Sequence, residues 1–404
     1  MKKKPTLRPM GNFFPNLHYP CNQGKRDLRI DFIRGLVMII LITVHIHMTS
    51  VYNYIAWERF GAVTGAEGFV LLSGIVLGML SRIRLQSDGL SSTIHKQYNR
   101  GFTLYRVLLV VIFSVFLLDM IPWFDSSVVT TFTTYSGKVY HLYPPLSAFG
   151  DAYRLIIAKF LLLRYGPHQF QILGLYVVLM FIAPFVLWFL SKQRVGVILS
   201  ISWILYLVNT GMHFRPIGAN FEYAFPLLSW QILFIHGLVI GYYRNEIWNF
   251  FHGNKGRVLF VFIFILYLVF LFFTYNNPLK EIPSYLRLDY IEPKEFRRIY
   301  HAFFDKNTLG IGRLFNDFAL LVVSYAMLSY LWKPINKLFG WFFIPIGQAS
   351  LYVFILHVYA SIVIANIGLF GAKDLMMNSL GHTAVFVFMW LMVRYKVFYN
   401  IIPR

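Results

Sequence analysis

The chain has 404 residues, of which 57% are hydrophobic and 19% aromatic, while only 13% are charged. This composition excludes a soluble globular domain and is typical of a polytopic helical membrane protein. The net charge of +20 predicts basic cytoplasmic ends that contact anionic lipid head groups, not a nucleic acid partner, because no basic–aromatic module lies between the apolar runs.

The first 28 residues are polar, basic and proline-bearing. The apolar segment that follows them has no small-residue cleavage site after it, which indicates an uncleaved anchor, not a signal peptide. We therefore expect residues 1–28 to form a mobile basic cytoplasmic tail. Residues 29–404 are expected to form a single transmembrane domain.

Apolar windows of about 20 residues, long enough to cross a bilayer, recur along this domain. They lie near residues 31–51, 62–81, 102–121, 171–190, 195–211, 225–243, 257–275, 313–332, 344–366 and 380–400. Residues 152–163 form a shorter eleventh candidate, which Arg154 and Lys159 interrupt.

The basic residues decide between ten and eleven spans. With ten spans and a cytoplasmic N-terminus, every short inner loop is basic, whereas an eleventh span at 152–163 would invert all later loops. The sequence thus predicts an all-α, multi-pass protein of the inner or plasma membrane, with about ten transmembrane helices and both termini cytoplasmic. Residues 152–163 then form an amphipathic helix that lies on or dips into the outer face, and the longest external loops are 122–170 and 276–312, a length typical of binding loops or lids.

The first predicted span has ionisable residues where lipid would reject them. Arg34 and His45 are eleven residues apart, so they lie about 20° from each other around a helix, and Asp31 lies about 40° from His45. His45 is about 16 Å further along the helix axis than Arg34. An ionisable stripe in a membrane indicates a functional site. His47 points about 160° away from His45, which predicts a mild effect of its substitution.

The second predicted span has a carboxylate, Glu67, about five residues inside its outer end, at a depth similar to that of His45. The two spans are antiparallel and joined by a short loop, so we expect the two side chains to meet. A carboxylate beside an imidazole fixes its tautomer and supports its charged form, as a general base requires. The alternative is a structural ion pair or hydrogen bond between two helices.

Polar side chains also lie inside later spans. Trp230, Gln231 and His357 are candidates for substrate binding, although a lone intramembrane Gln or His is about as often an interhelical hydrogen bond. We expect no metal site, because His45 and His47 face opposite sides of a helix and Cys21 is the only cysteine. The sequence has no P-loop and no dinucleotide-binding fingerprint.

These residues together indicate a membrane catalyst or carrier. Arg34, Arg82 and Arg84 form a basic inner mouth, which attracts phosphates and leads towards His45 and Glu67 near the outer face. A long phosphorylated donor with a reactive far end suits the separation of about 16 Å between Arg34 and His45. Acyl-CoA has that shape.

The spacing Arg34-x10-His45 resembles the signature of membrane acyltransferases of the acyltransferase-3 group, and the fuller pattern resembles the OpgC family, named for succinyltransferases of osmoregulated periplasmic glucans. The matching segments follow one another in chain order. They are RIDFIRGLVMII…VHI (29–46), AEGFVLLSGIVLG (66–78), LGLYVVLMFIAPFVLWFL (173–190), SWQILFIHG (229–237), DKNTLGIGRLFNDFAL (305–320) and ASLYVFILH (349–357).

The resemblance implies an acyl-CoA-dependent O-acyltransferase. The acyl group, succinyl or acetyl, would pass from cytosolic acyl-CoA to a glycan or another cell-envelope acceptor on the extracytoplasmic side. Acyl-CoA is then a donor substrate, and no permanently bound cofactor is implied.

The resemblance also implies roles for single residues. His45 would be the catalytic base or a relay acyl acceptor, with Glu67 as its partner. The predicted substrate-binding residues are Asp31, Arg34 and Arg82 on the inner side, Lys306 and Asn307 on the acceptor side, and Trp230, Gln231 and His357 within the spans.

The main alternative is a transporter or flippase of a lipid-linked sugar or a small anionic substrate, in which the polar stripe is a conduction path. An inverted repeat and Gly- or Pro-broken helices in corresponding halves are typical of such transporters, and the sequence shows neither. A structural scaffold, the third possibility, would not explain the shared face of Asp31, Arg34 and His45.

Overall fold

The structure is a computed structural model that describes residues 18–19, 26–133, 137–150, 152–278, 286–368, 374–400 and 402. The regular structure in this part of the chain is helical, apart from one antiparallel hairpin of β1 (Thr131–Thr133) and β2 (Val139–His141). Seven of the described helices are long and apolar enough to cross a membrane. The all-α membrane class is therefore confirmed, while the count of ten spans, the side of the termini and the particular membrane stay predictions. Most of the predicted tail lies outside the described residues.

Every predicted window overlaps a helix. The long helices are α1 (Leu28–His45), α3 (Gly65–Asp119), α6 (Gln171–Ser191), α7 (Val195–Met212), α8 (Leu227–Tyr242), α10 (Asn254–Tyr275), α12 (Ile311–Tyr330), α15 (Ser350–Ile367) and α16 (Leu375–Arg394). The short helices are α2 (Asn53–Ala56), α4 (Ser127–Thr130), α5 (Tyr153–Leu161), α9 (Arg244–His252), α11 (Pro293–Phe303), α13 (Trp332–Ile335) and α14 (Trp341–Gln348).

The longest helix, α3, is a helical hairpin. Gly89 has φ 77° and ψ 173°, a conformation that glycine adopts without a steric cost. The Gln97 amide donates a hydrogen bond to the Ser81 hydroxyl at 2.7 Å, although these residues would lie about 24 Å apart in a straight helix. The chain therefore reverses at Gly89, and the two arms of α3 supply the second and third predicted windows.

The first arm of α3 packs directly on α8 through glycines. A Cβ atom on Gly78 would overlap the carbonyl oxygen of Leu238, and one on Gly241 would overlap that of Ile75. The two backbones are thus in contact, as small residues at four-residue spacing allow in membrane helices. This pair forms the centre of the helix bundle.

Gly241→Ala is expected to destabilise the protein, because its methyl group has to push two backbones apart, and overpacking of this kind costs about 1–3 kcal/mol. Gly196→Ala in α7 is the matched control, since a Cβ atom there meets nothing within 4 Å. The measurement is the midpoint of thermal unfolding in detergent. Equal midpoints for the two variants would contradict the close contact.

The segments predicted as external loops contain elements of their own. Residues 122–170 hold α4, the hairpin and α5, and residues 276–312 hold α11; residues 134–136, 151 and 279–285 lie outside the described residues. Helix α5 has nine residues, fewer than half of what a bilayer crossing needs. The Tyr105 hydroxyl donates to the Leu161 carbonyl at 2.7 Å and holds α5 against the second arm of α3.

The window near 344–366 is a broken helix. Helix α14 ends at Gln348, and α15 begins at Ser350, because Ala349 has φ −113° and ψ 31°. Helix α1 packs against both pieces: Gln348 donates to the Asp31 carboxylate at 3.4 Å, and Arg34 donates to the Ser350 hydroxyl at 2.5 Å. The break therefore places the first turn of α15 beside the charged end of α1.

Candidate active site

Helices α1 and α15 run in the same direction and hold the predicted ionisable stripe between them. Arg34 contacts Ser350 at the start of α15, and Nδ1 of His45 lies 2.9 Å from Nε2 of His357. His357 is about two turns further along α15 than Ser350. Arg34 and His45 thus face one neighbouring helix, at two ends of what we call the α1–α15 seam, and helix rise places them about 16 Å apart along α1.

We name the two ends of the seam, outer and inner, after the predicted topology, and the outer end is the His45–His357 pair. His357 is wholly buried, and its Nδ1 contacts the carbonyl oxygen of Phe354, while His45 is only partly buried. The ring centroids of the two histidines are 5.0 Å apart, and the ring of Phe170 stacks with that of His357 at 6.4 Å. The pair therefore joins a partly buried imidazole, His45, to a fully buried one, His357.

Glu67 lies at the same end but is not the partner of His45. Its carboxylate accepts a hydrogen bond from Nε of Arg313 at 2.5 Å and bonds from the backbone N–H and hydroxyl of Thr64. The bond from the Thr64 backbone N–H is one half of the capping box of α3, whose other half is the Thr64 side chain accepting from the Glu67 backbone N–H. This box turns the Glu67 carboxylate back over the start of its own helix. The predicted His45–Glu67 contact is therefore wrong, whereas a catalytic role for Glu67 stays a prediction.

A buried guanidinium, which the sequence analysis missed, organises this region. Arg313 of α12 has no exposed surface; besides Glu67, it donates to the Glu58 carboxylate at 2.7 Å and to the Phe304 carbonyl at 2.9 Å. The Tyr300 hydroxyl donates to Glu58 at 2.9 Å. Burial and the Glu58 carboxylate raise the pKa of Tyr300, so this hydroxyl keeps its proton. The sequence does contain a signal for this network, because Arg313 is an ionisable residue inside an apolar window.

The inner end of the seam opens into a cavity of about 950 Å³, at the upper end of the range for ligand pockets. Its lining is strongly basic, with two acidic residues, Asp27 and Asp31. The basic lining residues are Arg26, Arg34, Arg82, Arg100, Arg244, Arg394 and Lys396. One of them, Arg82, is partly neutralised by Glu246 at 2.5 Å. The excess of cations suits the cavity to a polyanionic ligand of nucleotide size.

Both carboxylates of this cavity are already paired. Arg26 forms a two-point contact with Asp31 at 2.6 and 2.8 Å, and Arg29 bonds Asp27 at 2.8 Å. Burial alone raises the pKa of the Asp27 carboxyl, but the hydrogen bonds and charge of Arg29 outweigh it and hold that pKa below its usual value. Arg34 and Arg244 also lie within ion-pair distance of Asp31 and Asp27, at 3.7 and 3.8 Å. Because basic residues outnumber the two carboxylates in the lining, the cavity has a net positive charge.

The chain matches a known protein family. A family model described as OpgC protein matches residues 26–400, nearly the whole chain. The chain belongs to the OpgC family. None of the curated proteins compared with it matches. Membership confirms the resemblance found in the sequence and suggests a membrane-associated, glucan-modifying acyltransferase.

One further predicted residue of this OpgC-family protein, Gln231 of α8, contacts a neighbouring helix. It accepts a hydrogen bond from the Ser202 hydroxyl at 2.7 Å and donates one to the Ser202 carbonyl at 2.8 Å, so its amide joins α8 to α7. These contacts support the structural alternative for Gln231 and not substrate binding.

Trp230, also on α8, helps to fix the loop between α11 and α12. Its side chain is wholly buried, and its indole N–H donates to the Asn307 carbonyl at 3.4 Å. The Tyr206 hydroxyl fixes the same loop by donating to the Leu309 carbonyl at 2.8 Å. Trp230 is therefore a support for this loop.

The loop brings Lys306 to the outer end of the seam. Lys306 lies close enough to His45 and to Glu67 to interact electrostatically with both, and its ammonium lies 5.7 Å from the ring centroid of Phe225. Asn307 is exposed beside it. Of the two predicted acceptor-side residues, Lys306 thus lies within electrostatic range of His45.

The position of His47 corrects the helical-wheel argument. Helix α1 ends at His45, and Ile46 is extended at φ −85° and ψ 122°, so His47 does not follow the helical spacing. Its ring centroid lies 6.0 Å from that of His168, at the same end of the seam. Among the described residues, no group of three or more His, Cys, Asp or Glu side chains is arranged to hold a metal ion.

Proposed function

We propose that this OpgC-family protein is an O-acyltransferase that moves an acyl group, succinyl or acetyl, from cytosolic acyl-CoA to a glycan or other cell-envelope acceptor on the extracytoplasmic side. The observation that supports this proposal is the α1–α15 seam. It joins a cavity with net positive charge at one end to a histidine pair at the other. A metabolite with phosphates at one end and a thioester at the other fits both ends.

The cavity binds the nucleotide end of the donor. Coenzyme A carries phosphates that the arginines lining the cavity can neutralise with charge-assisted hydrogen bonds. Arg34 is at the boundary between the cavity and the seam, where it contacts the first residue of α15. The pantetheine arm of the donor then extends along the seam, over the distance of about 16 Å that helix rise gives between Arg34 and His45, and places the thioester at His45.

His45 acts as the general base at the outer end. Its imidazole accepts the proton of the acceptor hydroxyl as that oxygen attacks the thioester carbonyl. The carbon–sulfur bond breaks, coenzyme A leaves as the thiolate, and the thiolate takes the proton from His45 to become the free thiol. Lys306, beside His45, supplies positive charge for the oxyanion that forms on the carbonyl oxygen. The products are an ester and coenzyme A, and no ion gradient is needed.

The test uses the full chain, purified in detergent, with succinyl-CoA or acetyl-CoA and a glucan oligosaccharide. The expected result is release of free thiol together with a mass increase of one acyl group on the oligosaccharide. If neither thiol release nor the mass increase occurs, with succinyl-CoA and also with acetyl-CoA, the proposal is overturned. Gradient-dependent uptake of a sugar or anion by proteoliposomes, without thiol release, would establish the transporter alternative instead.

Arg34→Gln is expected to raise the KM for acyl-CoA about tenfold or more, because a hydrogen bond to a charged group contributes about 1.5–3 kcal/mol. Asp31 keeps its two-point contact with Arg26 in this variant, so no buried carboxylate is left unpaired. Initial rates at varied acyl-CoA concentration measure the effect.

Arg194→Gln is the matched control for this measurement. Arg194 is an exposed arginine immediately before α7 and does not line the cavity, so its loss should leave the KM unchanged. Equal KM values for the Arg34 and Arg194 variants would show that the cavity does not bind the donor.

A further inference from the structure

The buried His357 is engaged at both nitrogens of its ring. Nδ1 contacts the carbonyl oxygen of Phe354, and Nε2 lies 2.9 Å from Nδ1 of His45. A carbonyl oxygen only accepts hydrogen bonds, so Nδ1 of His357 carries a hydrogen. A neutral imidazole has one N–H group, and therefore Nε2 of His357 is an acceptor.

The neutral form of His357 is the one that its surroundings favour. Its side chain has no exposed surface, and the rings of Phe354 and Phe170 lie 4.8 and 6.4 Å from it, centroid to centroid. Within the described part of the chain, its ring nitrogens bond only that carbonyl and another histidine. A buried cation in these surroundings would be strongly disfavoured.

The state of His45 follows from that of His357. Because Nε2 of His357 accepts, Nδ1 of His45 must donate, and the lone pair of His45 is then on Nε2. We propose that His357 is a positioning residue, which holds His45 in the tautomer with a bare Nε2 and fixes the direction of that lone pair. This inference rests on the proposed function, in which His45 is the base.

In other acid–base sites a carboxylate accepts a hydrogen bond from the catalytic histidine and so fixes its tautomer and orientation. Here the neutral Nε2 of His357 is the acceptor. Orientation comes from the hydrogen-bond chain that links the Phe354 carbonyl to His357 and His357 to His45. Phe354 and His357 belong to the buried first half of α15, and His45 is the last residue of α1. Proton transfer from the acceptor hydroxyl places the new hydrogen on Nε2 of His45, and its Nδ1–H bond to His357 remains in place. The titratable groups that face the pair are Lys306, His168 and His47 towards His45, and His168 towards His357.

Three variants test this role. His357→Gln retains an oxygen that can accept from Nδ1 of His45, whereas His357→Met has a similar volume and no comparable acceptor. His236→Met is the control, since His236 is another histidine within a helix, and its Nδ1 lies 2.9 Å from the Ile232 carbonyl of its own helix. Its ring contacts are with Trp203 and Phe318, away from the seam.

We expect His357→Met to lower kcat by about tenfold or more with little change in the KM for acyl-CoA. His357→Gln should recover most of that loss, and His236→Met should behave as wild type. A purely structural role predicts the same loss for Gln and Met, accompanied by lower thermal stability. Equal kcat values for the Gln and Met variants, or a wild-type value for Met, would overturn the inference.

A measurement that does not depend on activity separates this inference from the proposed function. Nitrogen-15 NMR of the protein labelled at histidine distinguishes the two tautomers, and the His45→Gln spectrum identifies the His45 signals. The inference requires a protonated Nδ1 and a bare Nε2 on His45. A protonated Nε2 on His45 overturns it, whether or not the wild-type protein transfers acyl groups.

Discussion

His45→Ala is expected to lower kcat for acyl transfer by about 10²- to 10⁴-fold, the usual contribution of a general base. The protein should still fold and enter the membrane, because the substitution replaces a polar side chain at the end of α1 with an apolar one. His45 is only partly buried, and its hydrogen-bond partner is a second imidazole and not a carboxylate. Thiol release and acceptor mass, measured on variants of matched yield, give the result.

His236→Ala is the control for this experiment, since it removes a histidine from α8 whose contacts lie away from the seam. Full transfer by the His45 variant would remove His45 from the mechanism. The mass of the intact protein after incubation with acyl-CoA alone distinguishes the two roles considered for His45. A stable acyl adduct that disappears in the variant would indicate a relay acceptor, and its absence with active transfer would support a base.

The α1–α15 seam was predictable in part because one of its two sides, with Arg34 and His45, is a single helix, α1. The angular spacing of Arg34 and His45 is a property of helical geometry, and both residues do contact the same neighbouring helix. The identity of that neighbour was not predictable, since Ser350 and His357 lie 316 and 312 residues further along the chain than their partners. Only tertiary packing, which no local pattern shows, brings α15 beside α1.

The wrong predictions at the outer end have local causes. Glu67 was expected to face His45, but the Thr64 side chain three residues before it forms a capping box, a short-range preference that decides where the carboxylate points. His47 was placed by the helical wheel, but α1 ends at His45 without a glycine or proline to indicate the end. Helix termini are the part of a helix that periodicity describes least well.

The basic cavity was only partly predictable, because its residues come from distant parts of the chain. Arg34, Arg82 and Arg84 were expected at an inner mouth; Arg34 and Arg82 line the cavity, whereas Arg84 is not among its lining residues. Arg244 joins them from the start of α9 and Arg394 from the end of α16, which no local pattern could show. Charge counts predict that such residues share one side of the membrane, but only the packing of the helices brings them to one cavity.

Arg313 connects three segments that are far apart in sequence. Its guanidinium bonds Glu67 of α3 at 2.5 Å, Glu58 of the loop before α3 at 2.7 Å, and the Phe304 carbonyl after α11 at 2.9 Å. All of these residues are buried. A buried charge is tolerated only when it is paired and hydrogen-bonded. Arg313 is the cation that forms an ion pair with both carboxylates, while Lys306 and Arg59 interact electrostatically with Glu67 and Glu58 respectively.

Arg313→Met is expected to destabilise the protein by about 3–5 kcal/mol, because it leaves buried carboxylates without their cation. The control is Arg298→Met, which breaks a pair of similar length with Glu295, at 2.6 Å, where the arginine side chain is 78% exposed. Exposed pairs contribute only about 0–1 kcal/mol. Thermal and denaturant unfolding in detergent measure both variants.

A compensated variant shows whether the unpaired charge is the cause. Arg313→Met combined with Glu58→Gln and Glu67→Gln removes the cation and both carboxylates to which it bonds. Because a neutral buried cluster lacks the cost of uncompensated charge, the triple variant should be more stable than Arg313→Met alone. If the triple variant is less stable than the single one, the loss comes from packing around Arg313 and not from the carboxylates. If Arg313→Met is as stable as Arg298→Met, the network contributes nothing to the fold.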